Sequence, residues 1–169
     1  MAYVATGENF ADALAGGAAG SHNGGPLLLV QRDSIPVDTA TELGRLKPGR
    51  IVLLGGTGSV SSSVEAQLGQ YGPVKRIAGS TRYATASMVA QQEFGTLIGG
   101  VVVATGDAFP DAVAAGAAGF PILLVPSNGE APTEVRTALS ALKPLSMLVL
   151  GGTNAVSDHT LASLLAGID

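Results

Sequence analysis

The residues best suited to chemistry lie in short segments that contain glycine and follow an apolar run. These segments are residues 6–9, 55–59, 79–83, 105–107 and 151–154. If the apolar runs are parallel strands, the segments share the sheet edge at which ligands bind in folds of alternating strands and helices. Backbone amides at helix starts bind anions, and the Ser and Thr hydroxyls of these segments suit anions or sugar hydroxyls. The segments therefore predict a ligand-binding site, although each glycine alone is also explained by the turn that it permits.

The candidate ligand-binding residues are Thr6, Gly7, Asn9, Gly56, Thr57, Ser80, Thr81, Arg82, Tyr83, Thr105, Gly106, Asp107, Gly152 and Thr153. Arg82 is the sharpest candidate, because a guanidinium can hold a carboxylate or phosphate through two hydrogen bonds. The competing interpretation pairs Arg82 with Asp12 or Asp111 inside the protein. These two carboxylates fall on the first turn of predicted helices, where a negative charge stabilises the helix, and we favour that role over catalysis.

Enzyme signatures are weak in this sequence. His22 and His159 stand outside the repeated motifs, and there is no cysteine. The residues at 56–58 resemble the start of a dinucleotide-binding fingerprint, but Ser61 occupies the place of its third glycine. We predict no enzyme, no metal and no cofactor. A small-molecule or nucleotide-binding α/β enzyme domain that uses residues 55–59 remains the alternative.

Composition narrows the possible partners. The chain has 169 residues, with 46% hydrophobic and 4% aromatic residues and a net charge of −4. An acidic balance without a basic cluster argues against nucleic acid as a partner. No apolar run reaches the ~20 residues that a membrane span needs, so we predict no transmembrane segment. The sequence from Met1 to Val4 leads directly into a predicted strand, without the features of a signal peptide.

The sequence repeats itself. Residues 4–19 read VATGENFADALAGGAA, and residues 103–118 read VATGDAFPDAVAAGAA. Both copies continue with a proline-led apolar run, a Leu-Lys-Pro segment and a Leu-Gly-Gly-Thr segment. The apolar runs predict strands at about 2–6, 26–30, 51–54, 74–77, 101–105, 121–125 and 147–150. The segments between and after them predict helices at about 10–20, 37–46, 60–71, 82–94, 110–118, 133–142 and 157–167.

This alternation predicts an α/β fold of tandem parallel β-α repeats. We place the first repeat at residues 1–73 and the second, complete repeat at residues 74–169. The segment that begins at residue 74 has no counterpart before Met1, so the first repeat lacks its opening β-α unit. We expect another copy of the protein, or further sequence, to cover the edge that this leaves open, so a homo-oligomer is possible.

Four ordered motifs resemble the type 2 cell-wall-binding repeat of Gram-positive surface proteins. They are residues 76–86 (RIAGSTRYATA), residues 103–112 (VATGDAFPDA), residues 121–124 (PILL) and residues 150–153 (LGGT). The resemblance implies a doubly wound, three-layer sandwich of the flavodoxin or Toprim kind. It also implies that the repeats pack around a pseudo-three-fold axis.

The resemblance further implies a secreted, non-catalytic anchor at the cell wall. Its partner would be a polysaccharide, either an anionic polymer related to teichoic acid or peptidoglycan. Because the chain is acidic, an anionic polymer would depend on local groups such as Arg82, Arg76 and Lys75. A neutral glycan therefore remains an alternative ligand, and a module that serves only self-assembly remains an alternative function.

Overall fold

Seven short parallel strands form the framework. The computed structural model describes residues 1–108, 116 and 119–166. The strands are β1 (Ala2–Thr6), β2 (Leu27–Val30), β3 (Ile51–Leu54), β4 (Val74–Ile77), β5 (Val101–Thr105), β6 (Ile122–Val125) and β7 (Met147–Val149). Every predicted strand is confirmed to within one residue at each end. Apolar runs bounded by proline and glycine were therefore sufficient to predict the positions of the strands.

Helices follow the strands and begin at capping residues. They are α1 (Phe10–Asn23), α2 (Val37–Leu46), α3 (Ser62–Leu68), α4 (Arg82–Phe94), α5 (Thr133–Leu142) and α6 (Asp158–Leu165). The side chains of Asn9, Ser61, Thr81 and Ser157 accept hydrogen bonds from first-turn amides. The repeated Leu-Lys-Pro segment ends α2 and α5, where Lys47 and Lys143 adopt the left-handed conformation. The helix predicted at 110–118, with Asp111 in it, lies outside the described residues except for Gly116.

The strands form two parallel sheets, one of order β2-β1-β3-β4 and one of order β6-β5-β7. This corrects the prediction about the open edge. Although β4 opens the predicted second repeat, it pairs with β3, with Val74 beside Ile51 and Ile77 beside Leu54. The first sheet therefore has four strands, whereas among the described residues no strand lies on the side of β7 away from β5. The repeat limits of 1–73 and 74–169 stay a prediction.

Side chains of the first sheet alternate between two cores. Tyr3, Ala5, Val52 and Leu54 join a core shared with α1, α4 and the second sheet. Ala2, Val4, Ile51 and Leu53 face a separate core with Leu43 of α2 and Val64 of α3. Because both faces of the sheet are covered, its strands read as continuous apolar runs. No helix in the described part of the chain is long and apolar enough to span a membrane.

A buried polar cluster ties β1 to α4. The Tyr3 hydroxyl donates to the Glu93 carboxylate at 2.6 Å and accepts from the Asn23 amide at 2.9 Å. Arg50 forms an ion pair with the same carboxylate. Burial is the main reason why the pKa of Tyr3 is raised to about 12, and the hydrogen bond to Glu93 adds to it. The cluster fixes α4, and hence the loop before it, against the first sheet.

Candidate functional site

A polar cleft lies at the carboxyl ends of β1, β3 and β4. Its volume is about 310 Å³. The residues that line it come from the start of α1, the β3–α3 loop and the β4–α4 loop. They are Asn9, Ala11, Asp12, Gly56, Gly58, Ser59, Gly79, Ser80, Thr81, Arg82 and Thr85. The cleft thus combines loops from both predicted repeats, because β4 sits in the first sheet.

Arg82 occupies the first position of α4 and lines this cleft. Its side chain donates to the Gly106 carbonyl, and its guanidinium carbon lies 5.9 Å from the centre of the Phe10 ring. Arg82 is exposed to solvent. The carbonyl uses only part of the donor capacity of a guanidinium, which has five N–H groups. Arg82 can therefore contact a ligand from a fixed position.

Asp12, which sequence analysis treated as a helix-stabilising carboxylate or a partner of Arg82, also lines the cleft. It lies on the first turn of α1 and is buried. Burial raises the pKa of Asp12, while a hydrogen bond from Ser59 and the charge of Arg82 act in the opposite direction. Asp12 belongs to the cleft because the β3–α3 loop, which is distant in sequence, lies beside it. No local sequence pattern predicts this contact.

The hydroxyl and amide groups of the cleft have partly structural roles. Thr81 caps α4 by accepting from the Ala84 amide at 3.1 Å, and Asn9 caps α1. Ser80 is exposed in the same cleft, and Gly56 lines it. The structure therefore brings five predicted residues together: Asn9, Gly56, Ser80, Thr81 and Arg82. The N-terminal ends of α1 and α4, which are the positive ends of their helix dipoles, contribute residues to this cleft.

Arg76, named above as a possible contact for an anion, has another role. It donates to the Gly55 carbonyl at 2.6 Å and forms an ion pair with Glu65 at 3.0 Å. Its guanidinium is thus held inside the protein, where it fixes the turn at Gly55. Lys75 on the neighbouring position of β4 is exposed, but it does not line the cleft.

Thr6 and Thr105 are equivalent residues of the two repeats and are both buried. Each hydroxyl accepts from a backbone amide two residues later, at 3.1 Å in both cases. These hydroxyls shape the turns after β1 and β5 and do not line the polar cleft. Gly7 donates to the Val30 carbonyl, and Thr57 also lies outside the residues that line the cleft.

Asp107, Tyr83 and Gly106 form a contact between the two halves of the chain. Asp107 accepts from the Ser127 amide at 2.9 Å and from the Tyr83 hydroxyl at 3.3 Å. The bonds from Ser127 are the main reason why the pKa of Asp107 is lowered. Burial is the main reason why the pKa of Tyr83 is raised. The three residues support Arg82 and are not among the residues that line the cleft.

Gly152 and Thr153 follow β7 in the second sheet, so they do not approach the cleft of the first. Both are exposed, and the Gly152 carbonyl accepts from the Ala155 and Val156 amides. Since no described strand lies on the side of β7 away from β5, this loop has no described neighbour equivalent to residues 79–82. Gly152 and Thr153 therefore stay predicted ligand contacts that lie apart from this cleft.

A larger groove of about 690 Å³ runs beside α1 and β2 and is mainly apolar. Thr6, Gly7 and Asn9 belong to it together with Leu27 and Leu29. Its apolar character has a structural cause. In the second repeat α4 packs on the equivalent strand β6, which is wholly buried, whereas Leu29 is 46% exposed. Within the described residues, no helix covers this face of β2 as α4 covers β6.

The architecture and the cleft define a class: a parallel α/β repeat protein whose polar loops form a surface cleft. Within the described residues no group of three or more His, Cys, Asp or Glu side chains could hold a metal ion. Residues 1–65 and 76–161 match the family described as Cell wall binding domain 2 (CWB2). The chain therefore belongs to this family, and it is a cell-wall-binding module. This confirms the resemblance that the four sequence motifs carry.

Relatives of known role place the family on Gram-positive bacteria. The chain is 34% identical over 137 residues to the Amidase enhancer of Bacillus subtilis (strain 168), covering 79% of the chain and 18% of that protein. It is 32% identical over 163 residues to the N-acetylmuramoyl-L-alanine amidase LytC of the same organism, covering 93% of the chain and 32% of the amidase. The chain thus spans less than a third of each relative.

Solved structures confirm the fold. Cwp6 from Clostridium difficile matches with a TM-score of 0.82 and 26% identity, over 96% of this chain and 27% of Cwp6. Cwp8 from the same organism matches with a TM-score of 0.82 and 24% identity, over 97% of this chain and 29% of Cwp8. The second match concerns the fold alone.

Proposed function

We propose that the chain is a non-catalytic anchor that holds a secreted protein at the cell wall by binding an anionic polysaccharide in the polar cleft. The observation that carries this proposal is the convergence of Arg82 and two helix N-termini on one accessible cleft. A guanidinium and the positive ends of helix dipoles favour phosphate or carboxylate groups. Because the whole chain carries a net charge of −4, the attraction has to come from this local arrangement.

Asp12 refines the chemistry of the ligand. A cleft that contained only positive groups would suit inorganic phosphate, but a carboxylate beside the arginine disfavours a dense negative charge. Asp12 instead offers an acceptor for sugar hydroxyls, and Ser80 adds a hydroxyl on the exposed side of the cleft. We therefore expect a polymer that alternates hydroxyl-bearing units with single negative charges, as sugar or polyol phosphates do.

Weak binding per cleft is consistent with an anchor. One shallow cleft with one arginine gives modest affinity, and several modules on one long polymer bind far more tightly than one alone. The relatives that contain this domain are several times longer than the chain. We infer that the domain positions other parts of such proteins at the wall.

The test is sedimentation of the purified chain with Gram-positive cell walls before and after acid removal of phosphate-containing polymers. Loss of binding after stripping supports an anionic ligand in the cleft. Retained binding would identify peptidoglycan or a neutral glycan as the ligand. Absence of binding to both preparations would contradict the proposed anchoring function. Thermal unfolding with and without nucleotides tests the enzyme alternative, because a nucleotide that binds the folded state raises the melting temperature.

A further inference from the structure

The sequence contains two Asn-Gly pairs, at residues 23–24 and 128–129. In such a pair the backbone nitrogen of the glycine can attack the side-chain amide of the asparagine and expel ammonia. Glycine favours this attack because it has no Cβ to hinder a close approach. The reaction, called deamidation, is one reason why asparagine is a thermolabile residue. In a folded protein it requires that both reacting groups are free, and the two pairs differ in this respect.

Asn23 and Gly24 are held at the end of α1. The Gly24 amide donates to the Gly20 carbonyl as part of the helix cap. The side-chain amide of Asn23 donates to the Tyr3 hydroxyl at 2.9 Å and to the Glu93 carbonyl at 3.2 Å. Attack on Asn23 therefore requires the end of the helix to open and these hydrogen bonds to break.

Asn128 and Gly129 lie in the loop after β6. Asn128 is exposed to solvent, and the Gly129 amide donates to no group among the described residues. Gly129 has a φ of 111°, and a Cβ added to it would meet no atom within 4 Å. The nitrogen that must react is thus not engaged in the described hydrogen bonds, and the loop around it is open.

A hydrogen bond from Ser157 favours the reaction at Asn128. The Ser157 hydroxyl donates to the side-chain carbonyl oxygen of Asn128 at 3.1 Å. Negative charge develops on this oxygen when the carbon that carries it is attacked, so a hydroxyl donor stabilises the transition state. Ser157 also caps α6 by accepting from the Thr160 amide at 3.2 Å. The same oxygen therefore lies near the positive end of a helix dipole.

The first repeat shows that this loop tolerates the product of deamidation. In each repeat the serine that caps the next helix, α3 or α6, donates its backbone amide to the loop. The acceptor is the Arg32 carbonyl at 2.8 Å or the Ser127 carbonyl at 2.9 Å. These bonds place Asp33 in register with Asn128. A carboxylate at this position is therefore compatible with the fold.

We propose that Asn128 is a site of spontaneous deamidation and that the fold protects Asn23 from the same reaction. The Gly129 nitrogen forms a bond to the side-chain carbonyl carbon of Asn128 and loses its proton to solvent. The bond from this carbon to the side-chain nitrogen breaks, and the nitrogen takes up a proton and leaves as ammonia. Water then opens the five-membered ring at either carbonyl carbon, which gives aspartate or isoaspartate. Solvent water is the co-reactant, and nothing is oxidised or reduced.

Deamidation changes the loop in two ways. Either product adds one negative charge at neutral pH, and isoaspartate also adds one carbon atom to the main chain directly after Ser127. In the first repeat Arg32 pairs with the charge of Asp33, whereas Ser127 has no charge. The Ser127 amide donates to Asp107 at 2.9 Å, so the modification acts on a contact that supports the cleft. The reaction itself does not depend on the proposed ligand.

The test follows the purified chain over time at neutral pH, folded and in urea. Trypsin cleaves after Lys and Arg, so it releases Asn23 in residues 1–32 and Asn128 in residues 83–136. Mass spectrometry measures the mass gain of each peptide, and fragmentation assigns it to a residue. Methylation by an isoaspartate-specific methyltransferase identifies the isoaspartate. The chain in urea is the matched control, because both Asn-Gly pairs are then free of the fold.

In urea we expect the two asparagines to react at similar rates. In the folded chain Asn128 should react faster than Asn23 on the order of tenfold or more, because the end of α1 must open before Asn23 can react. Equal rates at the two residues of the folded chain would overturn the proposal. An unmodified Asn128 in the folded chain, after the time in which the chain in urea has reacted, would also overturn it.

Ser157→Ala tests the hydrogen bond to Asn128. Ser61→Ala is its control, because Ser61 is the equivalent helix cap of the first repeat. Asn128 should react more slowly in Ser157→Ala than in Ser61→Ala, whereas a looser loop alone would make it react faster. An equal or faster reaction in Ser157→Ala would overturn the role of this hydroxyl. None of these measurements involves wall binding, so this inference and the proposed function fail separately.

Discussion

Replacing Arg82 by alanine separates a ligand contact from a structural contact. The side chain makes a hydrogen bond to the Gly106 carbonyl from an exposed position. Because solvent weakens such a bond, its loss should cost about 1 kcal/mol, less than is usual for a hydrogen bond to a charged group. For a chain of this length, that lowers the melting temperature by about 2–4 °C. The variant should therefore remain folded at room temperature.

The expected effect on wall binding is larger. A guanidinium that contacts a phosphate contributes about 1.5–3 kcal/mol, so the affinity per cleft should fall about 10- to 100-fold. Arg45→Ala is the matched control, because it removes the same charge from an exposed site in the last turn of α2, away from the strand ends that form the cleft. Arg82→Lys keeps the charge but loses the two-bond geometry, and should lie between the wild type and Arg82→Ala.

The assay is depletion of protein from solution by increasing amounts of purified wall, measured at several salt concentrations. Arg82→Ala should bind more weakly than Arg45→Ala and show less dependence on salt. Equal binding by the two alanine variants, with both folded, would refute the role of Arg82 in the ligand site. Unfolding of Arg82→Ala at room temperature would show that its contact inside the protein is its main role.

Three further predictions concern the framework of the cleft. Gly55→Ala should lower the free energy of unfolding in urea by about 3 kcal/mol or more, because Gly55 has a φ of 93° and an added Cβ would lie 2.3 Å from an Asp12 oxygen. Gly56→Ala is the control: the space around Gly56 is open, so the free energy of unfolding should change by less than about 0.5 kcal/mol. Tyr3→Phe should cost about 1–3 kcal/mol, because it removes a hydrogen bond from buried Glu93, and an unchanged urea midpoint would contradict this. Asp12→Asn should raise the melting temperature near pH 7 but not near pH 3. The pKa of Asp12 is raised in the folded protein, so this carboxyl stabilises the fold below its unfolded pKa of about 4, and the stabilisation is lost as the pH rises through the folded pKa. An equal gain at both pH values would show that burial of the charge is not the cause.

Local signals predicted the elements of the fold but not all of their neighbours. The strand positions followed from apolar runs, and the predicted helix at 82–94 has the observed bounds, because capping by Thr81 acts within one turn. The partner of β4 was not predictable in this way, since strand pairing joins residues far apart in the sequence. The sequence order assigned β4 to the repeat that it opens, whereas its hydrogen bonds join it to the preceding sheet.

The difference between local and long-range contacts also explains which residues of the candidate site could be predicted. Ser80, Thr81 and Arg82 are consecutive, so one loop was enough to predict that they act together. Arg76 is only six residues earlier, but its partners Gly55 and Glu65 come from the preceding β-α unit. Its role was invisible until β4 was known to lie beside β3.

The exchange of β4 between repeats also suggests why this domain occurs as a repeat. The cleft takes its carboxylate and one glycine loop from the first repeat, and its arginine from the segment that opens the second. With the predicted limits of 1–73 and 74–169, a single repeat cannot assemble the cleft, because the residues that line it belong to two successive copies.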